Sequence, residues 1–159
     1  MADTFPEVGA AAPDFSSVTD ADEPVSLSEY QGKSNVVLYF YPRADTPGCT
    51  IEAKGFRDAF SAFGDAGAVI LGVSPDTVKK QAKFSSKYEL PFSLVADDEH
   101  KVAESYGVWN EKSFMGRKYM GVDRVTFIID KAGIIRHVFP KVNVVTHASN
   151  VLKALKSLS

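Results

Sequence analysis

Continuous apolar runs alternate along the chain with apolar stripes of helical period. The run at 35–41 predicts a strand that is buried on both faces, the run at 68–73 predicts a second buried strand, and the run at 92–95 predicts a short strand. The segment 50–63 places its apolar side chains on one face of a helix, and a second helix is expected over 74–88 with a proline at its first position. This strand–helix alternation is typical of parallel strands joined by crossover helices.

The later part of the chain changes pattern after a short predicted helix at 101–106. Two apolar runs, 124–129 and 134–139, flank the turn sequence 130–133 and predict an antiparallel hairpin. A closing helix carries its apolar side chains on one face, namely Ala148, Val151, Leu152, Leu155 and Leu158.

The amino-terminal part predicts a small separate hairpin. Residues 15–19 and 25–26 flank an acidic turn at 20–23. Ser26 and Glu29 have the spacing of a capping box, so a short helical turn is expected to follow.

These elements together predict an α/β fold with a mixed central sheet, helices on both faces and an amino-terminal hairpin extension. The 159 residues fit one domain spanning 1–159. Ligands in such folds bind at the carboxyl ends of the strands, which directs attention to the residues after 35–41.

Composition and charge narrow the function classes. A net charge of −2 gives no electrostatic case for binding nucleic acid or an anionic membrane. No stretch approaches the length of a membrane-spanning helix, and the acidic amino terminus lacks the apolar core of a secretion signal. One cysteine cannot form an internal disulfide, so a cytoplasmic location is expected.

Cys49 is the single cysteine, and it stands between a predicted buried strand and a predicted helix. Unpaired amide groups and the positive end of the helix dipole favour the thiolate there, and the thiolate is the reactive form. The alternative is an inert, small apolar side chain. The polar turn Thr46-Pro47-Gly48 around the sulfur favours the reactive interpretation.

The residues around Cys49 resemble the peroxiredoxins. The family pattern Pro-x-x-x-Thr-x-x-Cys-x-x-Glu is matched by Pro42, Thr46, Cys49 and Glu52, and the form Thr-Pro-Gly-Cys-Thr is similar to the peroxiredoxin Q branch. The segment 121–130 is similar to the later signature of that branch, which supplies an arginine. The resemblance covers nearly the whole chain and implies a thioredoxin-like fold and a thiol-dependent peroxidase.

The resemblance also implies roles for particular residues. Cys49 attacks the peroxide and becomes a sulfenic acid. Thr46 holds the peroxide oxygens, and Arg124 stabilises both the thiolate and the polarised O–O bond. Glu52, one helical turn from the cysteine, orients Arg124, and Pro42 shields the sulfur from water.

Each of these residues also has a purely structural interpretation. Thr46 could cap the turn at its neighbouring proline, and Pro42 certainly ends a strand. The Glu52 carboxylate could simply interact favourably with the positive end of the helix dipole, and Arg124 could be a surface ion-pair residue. Arg43, close to the cysteine in sequence, is a rival cation that is expected at the rim of the pocket.

The chain departs from its branch by lacking a second, resolving cysteine. Lys54 and Ser85 stand where many members carry it. The sulfenic acid must therefore be reduced by an external thiol, for which glutathione, a glutaredoxin and a thioredoxin are the candidates. The branch further implies a monomer.

Neither metal nor cofactor is expected, because His100, His137 and His147 are scattered without ligand spacing. A non-catalytic redox sensor or holdase using the same cysteine is the alternative function. A cysteine hydrolase is disfavoured, since no histidine lies near the motif to act as its base.

Overall fold

The computed structural model describes residues 5–158 as a mixed five-stranded sheet with helices on both faces and two separate hairpins. The strands are β1 (Ser16–Val18), β2 (Pro24–Ser26), β3 (Asn35–Phe40), β4 (Ala68–Ser74), β5 (Ser93–Ala96), β6 (Trp109–Phe114), β7 (Arg117–Val122), β8 (Val125–Ile129) and β9 (Ile135–Phe139). The helices are α1 (Pro47–Asp58), α2 (Phe60–Asp65), α3 (Val78–Tyr88), α4 (Lys101–Ser105) and α5 (His147–Lys156), and a 3₁₀ turn covers Leu27–Tyr30.

The central sheet has the strand order β5-β4-β3-β8-β9. β3 is parallel to β4 and antiparallel to β8, so the middle strand is flanked by one neighbour of each kind. Residues 36–40 are buried on both faces, as the continuous apolar run predicts. The predicted mixed sheet is confirmed, and it places the end of β3 beside the start of β8.

Each face of the sheet has its own apolar core. One core contains Phe56 of α1, Phe84 of α3 and Val151 of α5. The other contains Val102 of α4 together with residues of the amino-terminal hairpin such as Val25. Helices on both faces are therefore confirmed.

The amino-terminal hairpin and its capping box are also confirmed. β1 and β2 pair antiparallel, and the backbone N–H of Ser26 donates to the Glu29 carboxylate over 3.0 Å. The carboxylate satisfies an amide that the 3₁₀ turn leaves free, which fixes the start of that turn.

Two predicted helix starts are wrong, and the single helix expected over 50–63 is divided at Ala59 into α1 and α2. α1 begins at Pro47, three residues earlier than expected, because Thr46 takes the extended conformation of a helix cap and proline suits the first turn. The expected helix start at 74–76 is also wrong. Residue 74 ends β4, and α3 begins only after Thr77, whose hydroxyl accepts from the Lys80 amide over 3.3 Å.

The hairpin formed by β6 and β7 was not predicted. Its turn residues Met115 and Gly116 have φ values of 51° and 81°, the left-handed pair that a two-residue hairpin turn requires. The strands are largely exposed and polar, so they lack the apolar run that identifies buried strands. The hairpin leads directly into the segment before β8.

No helix in the described part of the chain is long and apolar enough to span a membrane.

Candidate active site

Cys49 lies in the first turn of α1, just beyond the carboxyl end of β3. Its side chain is buried, with 1 % of its surface exposed. The sequence placed this residue just ahead of the helix, whereas the helix already includes it. The thiol therefore lies among the first-turn amide groups, which have no partner within the helix, and at the positive end of a twelve-residue helix.

The guanidinium of Arg124 joins this sulfur to a carboxylate. Nη2 lies 3.4 Å from Cys49 Sγ, and Nη1 lies 2.7 Å from Glu52 Oε1. Burial opposes the charge of Arg124, but Glu52 and Cys49 more than offset it and keep the pKa of the guanidinium above its usual range. Fixed, forked donors are thus held against the sulfur.

Topology explains how residues distant in sequence meet here. Arg124 immediately precedes β8, whose first residue Val125 pairs with Phe40 at the end of β3. Both the arginine and the start of α1 therefore lie at the same end of the sheet. Gly48 completes the contact, since a Cβ atom on it would be 3.2 Å from Arg124 Nη2.

Glu52 is completely buried, on the turn of α1 that follows the cysteine. Burial raises the pKa of its carboxyl group from 4.5 to about 7, against the lowering effect of Arg124. Oε1 accepts the arginine hydrogen bond, whereas Oε2 is buried without a hydrogen-bond partner. His147 Nε2 lies 3.7 Å from that second oxygen.

The other predicted site residues lie in the loop between β3 and α1. Thr46 caps α1 through its carbonyl, which accepts from the Thr50 amide over 2.9 Å, and its hydroxyl donates to the Arg43 carbonyl over 3.1 Å. Within residues 5–158 no hydrogen bond links the Thr46 side chain to Cys49. Pro42 is half-buried directly after the strand. Arg43 is exposed, so the cation at the sulfur is Arg124.

A buried chain of hydrogen bonds, which the sequence did not reveal, anchors this loop. The Tyr41 hydroxyl donates to Gln81 Oε1 over 2.6 Å, and Gln81 Nε2 donates to Ser74 Oγ over 2.8 Å. Ser74 Oγ donates to Asp76 Oδ2 over 2.6 Å, and the same oxygen accepts from the Ala44 amide over 2.8 Å. The loop is thereby tied to β4 and α3.

Two further side chains near the site, His147 and Thr126, were not connected with it by the sequence analysis. His147, at the start of α5, is 2 % exposed and lies with its Nε2 2.7 Å from Thr126 Oγ1. The Tyr39 hydroxyl is buried without a hydrogen-bond partner, and burial keeps the pKa of this phenol well above its usual range. Spacing along the chain gives no signal for the contact between His147 and Thr126, because the histidine comes from the last helix.

The positions where a resolving cysteine was expected hold other contacts. The exposed Lys54 places its ammonium 5.1 Å from the centroid of the Tyr88 ring. Ser85 directs its hydroxyl to the Leu90 carbonyl at 3.5 Å. Cys49 is the single cysteine of the sequence, so no internal thiol can reach the sulfur.

Two clefts differ in their relation to the site. A cleft of about 510 Å³ opens beside the active-site loop and is lined by Pro42, Arg43, Pro75, Asp98, His100, Trp109, Lys112, Tyr119, Met120 and Gly121. A larger one of about 760 Å³ lies at the opposite end of the sheet, near Asn35 and Asp130. Among residues 5–158 no group of His, Cys, Asp and Glu is arranged to hold a metal ion.

Comparisons with known proteins show the family to which this chain belongs. Residues 8–138 match the AhpC/TSA family. Peroxiredoxin Bcp of Bacillus subtilis is 49 % identical over 153 residues, covering 96 % of this chain and 97 % of the relative. Peroxiredoxin Bcp of Escherichia coli K12 is 44 % identical over 150 residues, covering 94 % and 96 %.

Solved structures show the same similarity. Peroxiredoxin Q of Xanthomonas campestris superposes with a TM-score of 0.87 at 35 % identity, covering 98 % of this chain and 97 % of that one. A cysteine-to-serine mutant of Xylella fastidiosa PrxQ superposes with a TM-score of 0.92 at 30 % identity, covering 98 % of both chains. The mixed sheet described above is therefore a thioredoxin-like fold.

Proposed function

Since this chain belongs to the AhpC/TSA family and is a thiol-dependent peroxidase of the peroxiredoxin Q branch, we propose that Cys49 is the residue that attacks the peroxide. The observation that carries this assignment is the 3.4 Å contact between Cys49 Sγ and Arg124 Nη2. A cation beside the sulfur favours the thiolate, which is the nucleophile. We further propose that the chain, residues 1–159, forms the single domain that supports this site.

The first chemical step forms one bond and breaks another. The Cys49 thiolate attacks the terminal oxygen of the hydroperoxide, the S–O bond forms, and the O–O bond breaks. The sulfur is oxidised to sulfenic acid, and the departing alkoxide takes a proton to become an alcohol, or water when the substrate is hydrogen peroxide. Negative charge moves from sulfur to the departing oxygen, so donors aimed at that oxygen accelerate the step.

Arg124 is proposed to supply those donors. Its guanidinium is permanently charged and lies against the sulfur, where burial strengthens its electrostatic effect. As the S–O bond forms, the positive charge that stabilised the thiolate stabilises the departing oxygen. Removing one such donor from an enzyme typically costs 10²- to 10³-fold in rate.

Glu52 is proposed to hold Arg124 in this orientation. The 2.7 Å bond to Oε1 occupies Nη1 and leaves Nη2 directed at the sulfur. Because Glu52 is completely buried on α1, the same helix fixes both the carboxylate and the cysteine. The arginine is thereby positioned before the substrate arrives.

Thr46 and Pro42 are proposed to shape the substrate pocket from the loop. The Thr46 hydroxyl, which now donates to the Arg43 carbonyl, can exchange that bond for one to a peroxide oxygen. Pro42 has no amide hydrogen and packs half-buried after β3, so it restricts water near the sulfur. The neighbouring cleft of about 510 Å³ gives the remainder of an organic hydroperoxide room.

An external thiol is needed to complete the cycle, since the sequence has one cysteine. The incoming thiol attacks the sulfenic acid, forms a mixed disulfide with Cys49 and releases water. A second thiol releases Cys49 and leaves as a disulfide. We propose glutathione, a glutaredoxin or a thioredoxin as the reductant of a monomeric, cytoplasmic enzyme that binds neither membrane nor nucleic acid.

Stopped-flow kinetics with hydrogen peroxide and an alkyl hydroperoxide test these roles. Cys49→Ser should abolish the reaction, and Arg124→Gln and Thr46→Val should each lower its rate by about 10²-fold while the thiol persists. Arg43→Gln is the matched control and should react with hydrogen peroxide like the wild type. A wild-type rate no faster than that of free cysteine, or an Arg124→Gln variant at full speed, would overturn the assignment.

A further inference from the structure

One oxygen of the buried Glu52 carboxylate is left without a hydrogen bond. Oε1 is bound to Arg124, but Oε2 has no partner although it is removed from solvent. An unpaired oxygen on a buried carboxylate is costly, and the cost falls on the ionised form. At rest the ionised form is stabilised by Arg124 through Oε1 alone, so a donor at Oε2 is needed when that stabilisation weakens.

His147 is placed to be that donor. Its Nε2 lies 3.7 Å from Glu52 Oε2 and 2.7 Å from Thr126 Oγ1. The rings of Phe56 and Phe139 pack against the imidazole at near-perpendicular angles of 85° and 84°. They fix the ring plane, so a small movement is enough to exchange one Nε2 partner for the other.

The charge state of the ring follows from its surroundings. Burial, together with Arg124, lowers the pKa of His147 from 6.5 to about 4, so the imidazole is neutral at neutral pH. The charged groups that face it are Glu52 on α1 and Arg124 before β8, and His137 of β9 lies behind the Phe139 ring. One ring nitrogen therefore carries the single proton.

The neighbouring carboxylate selects which nitrogen that is. A lone pair on Nε2 would face a second lone pair on Oε2, which is repulsive, whereas an Nε2–H group is attracted to it. The proton is thus assigned to Nε2, where it is donated to Thr126 Oγ1 in the resting enzyme. At 3.7 Å the carboxylate oxygen is too distant for a hydrogen bond at rest, and a movement of about 0.5–1 Å would bring it within range.

We propose that His147 is a positioning residue whose Nε2–H moves from Thr126 to Glu52 when Arg124 engages the peroxide. This inference rests on the roles proposed above for Glu52 and Arg124. As the guanidinium shares its charge with the departing oxygen, it stabilises Glu52 less, and the histidine proton compensates at Oε2. At rest the Nε2–H group donates to Thr126, so the charge of the Glu52 carboxylate is balanced by Arg124 alone.

Two substitutions should move the pH profile in opposite directions. His147→Phe keeps the ring between its aromatic neighbours but removes the donor, so Glu52 should protonate more readily. The midpoint of the acid limb, on which the rate of the peroxide reaction falls with falling pH, should then rise by about one pH unit. The reaction should be about tenfold slower at pH values well below both midpoints. Thr126→Val keeps its shape but removes the competing acceptor, so the acid limb should fall.

The controls separate this mechanism from a loss of folding. His137→Phe should leave the profile unchanged, and thermal unfolding should show that both test variants are folded. Acid limbs that move in the same direction, or that do not move, would overturn the inference. If Arg124→Gln and Glu52→Gln instead react like wild type, the proposed catalytic roles fail as well.

The tautomer can be read without kinetics. In the wild-type enzyme labelled with ¹⁵N-histidine, the nitrogen shifts of His147 distinguish Nε2–H from Nδ1–H. The expected result is the neutral Nε2–H form at pH 7, with a shift of its signal in Thr126→Val. Observation of the Nδ1–H form would overturn the inference even if every variant lost activity.

Discussion

Gly48 lies directly beneath the guanidinium of Arg124. A Cβ atom at this position would come within 3.2 Å of Nη2, which is tighter than ordinary van der Waals contact. The glycine therefore lets the arginine settle on the helix start, next to the sulfur. Glycine is required at position 48 because the Arg124 side chain comes so close to the backbone there.

Gly48→Ala should lower the rate of peroxide reduction by about tenfold, because the guanidinium must move by a few tenths of an ångström away from its position. Stability should not decrease, since alanine is the better helix former. Stopped-flow rates and urea unfolding measure the two effects. Gly64→Ala, in open space on α2, is the matched control. An unchanged rate in Gly48→Ala would show that the arginine position is not critical.

Glu52 and His147 should give opposite dependences of stability on pH. Burial raises the pKa of Glu52 from 4.5 to about 7, so its contribution to stability is full below pH 4.5 and is lost as pH rises through 7. Burial lowers the pKa of His147 from 6.5 to about 4, so its contribution is full above pH 6.5 and is lost as pH falls through 4. Between pH 4.5 and 6.5, therefore, the contribution of Glu52 to stability falls as pH rises, whereas the contribution of His147 increases.

Substituting Glu52 or His147 should reveal how the other residue alone makes the free energy of unfolding depend on pH. In Glu52→Gln the free energy of unfolding should fall more steeply than in wild type as pH decreases from 6.5 to 4.5, by up to about 1.4 kcal/mol per pH unit. In His147→Phe it should rise over the same range. Urea unfolding at several pH values measures both, with the exposed Glu23→Gln as control. Parallel curves for all four proteins would contradict the burial argument.

Asp76→Ala should loosen the active-site loop. The Ala44 amide and the Ser74 hydroxyl both lose their acceptor, which typically costs about 1–3 kcal/mol for buried groups. The peroxide reaction should slow by about tenfold, because Pro42 and Thr46 are no longer held in place. Kinetics on the folded variant measure this effect. Asp65→Ala, exposed at the opposite end of the sheet, should change neither rate nor stability.

Excess peroxide without a reductant should inactivate the enzyme progressively. No second cysteine captures the sulfenic acid of Cys49, so a further peroxide can oxidise it to sulfinic acid. Intact mass spectra should show one and then two added oxygen atoms, with activity lost in proportion to the second. Addition of a small thiol at the start should protect the enzyme. Unchanged mass and activity after the titration would count against this oxidation route.

The sequence predicted the fold where apolar runs were long. The run at 35–41 identifies β3 because a strand that is buried on both faces is continuously apolar. The hairpin of β6 and β7 was missed because its exposed strands carry polar residues and its turn, Met115-Gly116, is an uncommon pair. Hydrophobic patterns do not identify exposed strands, because packing does not require apolar residues there.

The candidate site was predictable only in part. The spacing from Pro42 to Glu52 is local, so a motif can reveal it. The hydrogen bonds of Asp76 were obscured because this residue and its neighbours resemble a helix start. His147 was set aside as a scattered histidine, since its contact with Glu52 depends on how α5 packs on α1.

The reactive centre draws its groups from distant parts of the chain. Arg124 follows Cys49 by 75 residues, and α5 comes later still. At 5–20 residues per second, a ribosome needs roughly 4–15 s to add that stretch. During this interval the emerging cysteine has neither its guanidinium nor the strand that delivers it. On the role proposed for Arg124, the thiol of a nascent chain therefore lacks its activating cation until most of the protein has been synthesised.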